Sequence, residues 1–370
     1  MTTQARPRTT SAPKARGRAL VRDLSTTPAS RDEPRIVFDT RPAYDFLVSL
    51  MVDFTPEVLP EDAAWLEASR ASLSDGLKRD LRRTLGHDDG KIAAGMALVP
   101  LVVDDERVRT AADVVALAGR ATVPQLISLT CEMEHVPAAS TLAERAVAGD
   151  AGATAQLVAL FPDATRPGVE RLLSDPEGEL RALRRVLRAW RERFETVEAR
   201  VAKMGERDAA ARRTELADLS TAEAVERVTG GVRFGAEPGL RRVILAPTYF
   251  GRPYNFLFGA QDWRMFAYPI ADASLDGDPD AVPSATVRLF KALGDDSRLR
   301  ILRHLSDGDL YLTEIAERMG LSKPTVSHHM IILRAAGLVT VTETGGLTYY
   351  TLRRERLAEA TPDLQRLLGA

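Results

Sequence analysis

Positions 322 to 330 read Ser322-Lys323-Pro324-Thr325-Val326-Ser327-His328-His329-Met330, which puts short hydroxyls, a lysine and a histidine on a face unsuited to burial. Side chains of this kind hydrogen-bond to phosphate oxygens and to base edges in a major groove, so the chemistry they suit is recognition of DNA. Ser322, Lys323, Thr325, Ser327, His328 and Arg334 are the expected contacts, with Lys291, Arg298 and Arg300 as further phosphate partners. Adjacent residues on a helix diverge by about 100°, so His328 and His329 do not point at one ion, and His329 is assigned a structural place.

Such a face needs a helix and a core beneath it. Ser322 suits an N-cap, and Pro324 is tolerated in a first turn that has no intrahelical partner for its missing N–H. Val326, Met330 and Leu333 then share one buried face at i, i+4 and i+7. The neighbouring elements come in quick order. A helix over 285–293 carries Val287, Leu289 and Phe290, and a second, capped by Asp296, carries Leu299, Ile301, Leu302 and Leu305. Asp307-Gly308 turns into the short strand Leu310-Tyr311-Leu312; Thr313 caps a third helix over 314–319, which Gly320 ends. After Ala335-Ala336-Gly337 closes the recognition helix, 338–342 and 347–352 form a hairpin around Gly345-Gly346. This order is that of a winged helix-turn-helix over 284–356, followed by a C-terminal helix over 357–370.

Leu289-Phe290-Lys291-Ala292-Leu293-Gly294-Asp295, Arg298-Leu299-Arg300-Ile301-Leu302, Ser327-His328-His329-Met330, Ala336-Gly337-Leu338-Val339 and Tyr349-Tyr350 form a distributed pattern that resembles the ArsR family of bacterial winged-helix regulators. The resemblance covers about 70 of the 370 residues. It implies a homodimer that places two such helices in successive major grooves of a pseudo-palindromic operator, repressing until a signal releases it. The chain departs from the family in two places. Metal ligands usual on the third helix or on the helix after the wing are missing, since 313–319 and 354–370 contain neither His nor Cys, which argues against metal sensing there. The wing, Thr342-Glu343-Thr344-Gly345-Gly346-Leu347, lacks basic residues, and Ile331 stands where lysine is frequent.

Overall charge gives no sign of nucleic-acid binding: net -2 with a pI near 6.3. Residues 284–356, however, carry eleven Lys or Arg against eight Asp or Glu, a local +3. With a single cysteine, Cys131, there is no intrachain disulfide and no multi-Cys metal site. No apolar run approaches the roughly 18 residues needed to span a bilayer, so no membrane association and a cytoplasmic location are expected.

Upstream, residues 1–33 are rich in Thr, Ser, Pro and Ala and carry Arg6, Arg8, Lys14, Arg16, Arg18 and Arg22; a disordered basic tail is expected. Residues 34–270 are expected to form a mainly helical sensor and dimerisation domain with a small antiparallel β-sheet, making the whole chain mainly α. A strand is predicted at 35–39, helices over 45–52, 61–72, 77–85, 114–118, 123–132, 142–148 and 153–160, with breaks at Gly86, Gly90, Pro100, Pro137 and Pro162. Leu180, Leu183, Leu187, Trp190, Phe194, Val197, Val201 and Met204 repeat three and four apart, either as a self-associating stripe or, the preferred reading, as packing within the domain. Strands are predicted at 241–246 and 254–258, the latter turning through 259–262 into 263–268; the twenty residues 249–268 hold eight aromatics, which either line a ligand pocket with Arg252, Tyr254, Trp263 and Arg264 or form the core of the sheet. Residues 271–283, small, acidic and proline-punctuated, read as a linker.

No phosphate loop, His-Glu-x-x-His run or nucleophile elbow is present, and Cys131-Glu132-Met133-Glu134-His135 reads better as a polar helix end than as a metal site. The expected protein is therefore a DNA-binding regulator without enzymatic activity or cofactor, partnered by double-stranded DNA, a second copy and a small-molecule or protein effector. An enzyme or protein-interaction module carrying a regulatory winged helix is the alternative.

Overall fold

A computed structural model describes residues 33–369, except 52–59, 86–96, 134–138, 162–165, 236–238, 261, 277–281 and 345–346. The basic tail expected over 1–33 lies outside the described residues apart from Glu33, and the side chains of Cys131 to His135 lie outside them as well.

The chain begins with β1 (Arg35–Phe38) and continues through α1 (Pro42–Met51), α2 (Pro60–Ala71), α3 (Asp75–Leu85), α4 (Leu98–Asp104), α5 (Ala111–Arg120), α6 (Val123–Met133), α7 (Ala139–Val147), α8 (Ala151–Ala159), α9 (Arg166–Ser174), α10 (Pro176–Phe194), α11 (Glu198–Glu215) and α12 (Thr221–Thr229). Three strands follow, β2 (Arg242–Thr248), β3 (Phe256–Gly259) and β4 (Trp263–Pro269), and then a 3-10 turn at Asp272–Ser274. The last elements are α13 (Ser284–Leu293), α14 (Asp296–Leu305), β5 (Leu310–Tyr311), α15 (Leu312–Met319), α16 (Lys323–Ala335), β6 (Val339–Thr344), β7 (Leu347–Leu352) and α17 (Arg354–Leu368).

Sheet topology corrects the antiparallel expectation. The order is β1-β2-β4-β3, with β1–β2 and β2–β4 parallel and only β3–β4 antiparallel. Only that last pair is joined by a tight turn. The helical stretch between β1 and β2 supplies the crossover that a parallel pair requires. As one of the two strands with neighbours on both sides, β2 is a near-continuous apolar run, and its alternation divides two cores. Ile244 and Ala246 join Trp190, Phe194 and Leu187 in the large helical core, whereas Val243 and Leu245 face Val225, Val228, Phe266 and Tyr268.

Every described element from β1 to β4 is thus bound to this body through one or other face of the sheet or the helices around it. The heptad stripe does not run as one helix: α10 ends at Phe194, α11 starts at Glu198, and Leu183, Leu187, Trp190, Phe194, Val201 and Met204 are all buried inside the body. Trp190 even satisfies its indole N–H internally, donating to Ser49 Oγ at 2.8 Å. Pro100, expected as a break, instead sits in the first turn of α4, where no backbone N–H is demanded of it.

The second half of the expected linker, 277–281, is outside the described residues. The first half is strapped to α11: Asp208 accepts the Ala271 N–H at 2.8 Å, and Arg207 donates to Ser274 O at 3.0 Å and pairs with Asp276 at 2.9 Å. None of the helices among the described residues is long and apolar enough to cross a membrane.

Candidate nucleic-acid interface

A separate apolar cluster supports α16. Leu289, Ile301, Leu305, Ile315, Met319, Val326, Met330, Leu333 and Leu338 close over one another, with Tyr350 of the wing at the margin. The strand β5 pairs antiparallel with β7, Leu310 opposite Tyr350, and β7 pairs with β6 from Val339↔Leu352 to Thr344↔Leu347. Two caps differ from expectation by one or two residues. Asp295, not Asp296, caps α14 by accepting the Arg298 N–H at 2.9 Å, and α15 starts behind Tyr311, whose N–H donates to Glu314 at 3.2 Å, leaving Thr313 within the helix.

The turn into α16 is built by backbone conformation. Gly320 ends α15 at φ +65°, a left-handed geometry suited to glycine, and Leu321 N–H returns to Ala316 O at 3.1 Å. Ser322 then accepts the Thr325 N–H at 3.3 Å, with the two hydroxyls 2.8 Å apart. Because Val326, Met330 and Leu333 are fully buried, the opposite residues are forced outward: Ser322, Lys323, Thr325 and Arg334 are exposed and Ser327 and His328 half-buried.

Among the described residues Lys323 and Arg334 make no ion pair. His329, on the flank of the core, has Nδ1 3.9 Å from Asp295 Oδ1, and burial lowers its pKa, against the pull of Asp295. Of the further phosphate candidates, Lys291 and Arg300 are exposed, whereas Arg298 is occupied in donating to Ala292 O and Lys291 O, both at 2.8 Å. The wing side chains 342–348 lie outside the described residues.

The four pocket candidates are dispersed. Trp263 is 1% exposed in the large core, and Arg264 closes the β3–β4 turn through the carbonyls of Ala260 and Trp263. Arg252, 3% exposed, lies over the Tyr249 ring at 4.8 Å and pairs with Asp272 at 3.5 Å. Tyr254 alone turns to the winged helix, packing with Ile332 against Ala335. Sequence reading missed this contact and the role of Asp272; a polar residue in a linker-like composition carries no mark of its partner.

A buried three-helix platform, a capped helix with an outward polar face and a paired hairpin define a winged helix-turn-helix DNA-binding protein. Residues 295–341 match the profile of the bacterial regulatory protein, arsR family. The HTH-type transcriptional regulator CmtR of Mycobacterium tuberculosis is 40% identical over 87 residues, 24% of this chain and 74% of CmtR. The transcriptional repressor SdpR of Bacillus subtilis is 38% identical over 72 residues, 20% of this chain and 80% of SdpR. The solved structure of HlyU from Vibrio cholerae is 34% identical, covering 24% of this chain and 95% of HlyU with a TM-score of 0.20. The chain belongs to the ArsR family of transcriptional regulators, through its C-terminal winged helix.

Proposed function

We propose that the protein is a cytoplasmic repressor that binds a pseudo-palindromic operator as a homodimer, with residues 34–270 receiving a non-metal signal. The observation that carries this reading is the outward face of α16. Ser322, Lys323, Thr325, Ser327, His328 and Arg334 line one side of a helix whose other side is fixed in a closed core, the arrangement needed to present side chains to a major groove. A second copy suits the face made by α17 and α13: α17 buries none of its residues, and Leu364, Leu367 and Leu368 are exposed, as is Phe290 of α13.

Lack of His and Cys on α15 and α17 supports a signal other than a metal bound there. No group of three or more His, Cys, Asp or Glu among the described residues is placed to hold a metal ion. The helical body, which has its own core and sheet, is the place for a small-molecule or protein effector. Mobility shifts with DNA from upstream of the protein's own gene test the reading. A sequence-specific, salt-sensitive complex is expected, and its absence across conditions would refute it.

A further inference from the structure

Ala335 is buried, at 8% exposure, yet it does not belong to the winged-helix core; what covers it is Tyr254 of the body together with Ile332 of the same helix. At about 100° per residue, Ala335 lies roughly 200° around α16 from core-facing Leu333 and within about 20° of His328. The stripe that presents His328 is therefore covered, two turns further on, by a tyrosine from outside the winged helix.

That tyrosine is held from behind. Buried Asp45 accepts the N–H groups of Tyr249 and Phe250 at 2.8 and 2.9 Å, Tyr254 N–H donates to Gly251 O at 2.7 Å, and Asn255 Nδ2 donates to Thr229 O at 2.8 Å. From the same loop, Arg252 pairs with Asp272 Oδ1, while Asp272 Oδ2 accepts the Ala285 N–H at 2.8 Å in the first turn of α13. One short loop thus reaches the recognition helix directly and the first winged-helix element through a single carboxylate. Gly231 adds a close approach at the base of the wing: at φ +117°, a Cβ there would run into Arg353 Nε and lie 2.8 Å from Thr340 Cγ2.

We infer that Tyr254 is a positioning residue for DNA reading, with Asp272 and Arg252 as its support. It covers the far end of the exposed stripe and leaves Ser322, Lys323 and Thr325 open, so the body sets the angle at which α16 is presented to the groove. Contacts to base edges depend on placement to about half an ångström, whereas non-specific phosphate attraction does not. The inference rests on the reading that α16 enters the major groove.

Full-length Tyr254→Ala, Tyr254→Phe, Asp272→Asn and Lys323→Ala proteins would be titrated with the upstream fragment and with a scrambled fragment, alongside hydrogen exchange of α16. Tyr254→Ala is expected to lower affinity for the upstream fragment about 3- to 30-fold, the range for residues that bias a site without touching its ligand, while leaving the scrambled fragment unaffected. Tyr254→Phe should retain specificity, Asp272→Asn should lose it in part, and exchange at the C-terminal end of α16 should quicken in the first and third. Equal loss on both fragments would mean a structural role only and overturn the proposal. An unchanged ratio in Tyr254→Ala beside a weakened Lys323→Ala would overturn it while sparing the DNA reading; if Lys323→Ala is unchanged too, the DNA reading itself falls.

Discussion

In the helical body several arginines are committed to backbone carbonyls. Arg41 donates to the carbonyls of Val102, Asp105 and Val108 at 2.9 to 3.0 Å while pairing with Asp39 at 2.7 Å; Arg184 closes on Ala118 O and Ala121 O, and Arg207 on Ser274 O. On α16, Lys323 and Arg334 are left exposed without an ion pair among the described residues. The same division runs through the winged helix, where Arg298 and Arg353 donate to neighbouring carbonyls. Residue type does not distinguish the two uses. What marks a cation as available for DNA is that the fold has given it no carbonyl or carboxylate, since a charge already committed to buried partners cannot be offered to phosphate without breaking them.

Removing an arginine committed to buried carbonyls should have the largest effect. Arg41→Ala removes the guanidinium that donates to three carbonyls and to the Asp39 carboxylate, in a site where Arg41 is only 9% exposed, and should cost about 3–5 kcal/mol in chemical denaturation. By contrast, Lys323→Ala with His328→Ala should lower operator affinity by roughly 10- to 100-fold, about 1–3 kcal/mol, and change folding stability by no more than about 0.5 kcal/mol. Equal stability losses in the two proteins would erase the distinction.

Gly231→Ala forces a side chain into a left-handed backbone against Arg353 and should destabilise by about 1–3 kcal/mol, measured by thermal and urea unfolding. For His329 burial lowers the folded pKa, so between that value and the ordinary one near 6.5 the unfolded chain binds more protons. Its contribution is full above about pH 6.5 and is lost as pH falls towards the folded pKa. His329→Gln should therefore flatten the acid side of the stability profile; a steeper profile in the variant would contradict the assignment.

What the sequence disclosed was local. Ser322 as cap, Gly320 as helix terminator and the i, i+4, i+7 face of Val326, Met330 and Leu333 each depend on a few neighbouring residues, and each stands in the structure. What it hid was partnership at a distance. The pairing of β1 with β2 brings Ile36 beside Val243, and period-2 alternation says which faces are apolar but not which strand is the neighbour. The heptad stripe was legible as apolar, but its break between Phe194 and Glu198 is written in no glycine or proline. Arg252, Trp263 and Asp272 looked like pocket and linker because their types are ambiguous until their partners are known.

The most direct measurement is a salt series of operator binding by the full-length protein and by Lys323→Ala/His328→Ala, using DNA from upstream of the gene. A specific complex whose affinity falls with salt is expected, with the variant weaker by roughly 10- to 100-fold at an unchanged melting temperature. A variant that binds as tightly as the native chain would contradict that expectation.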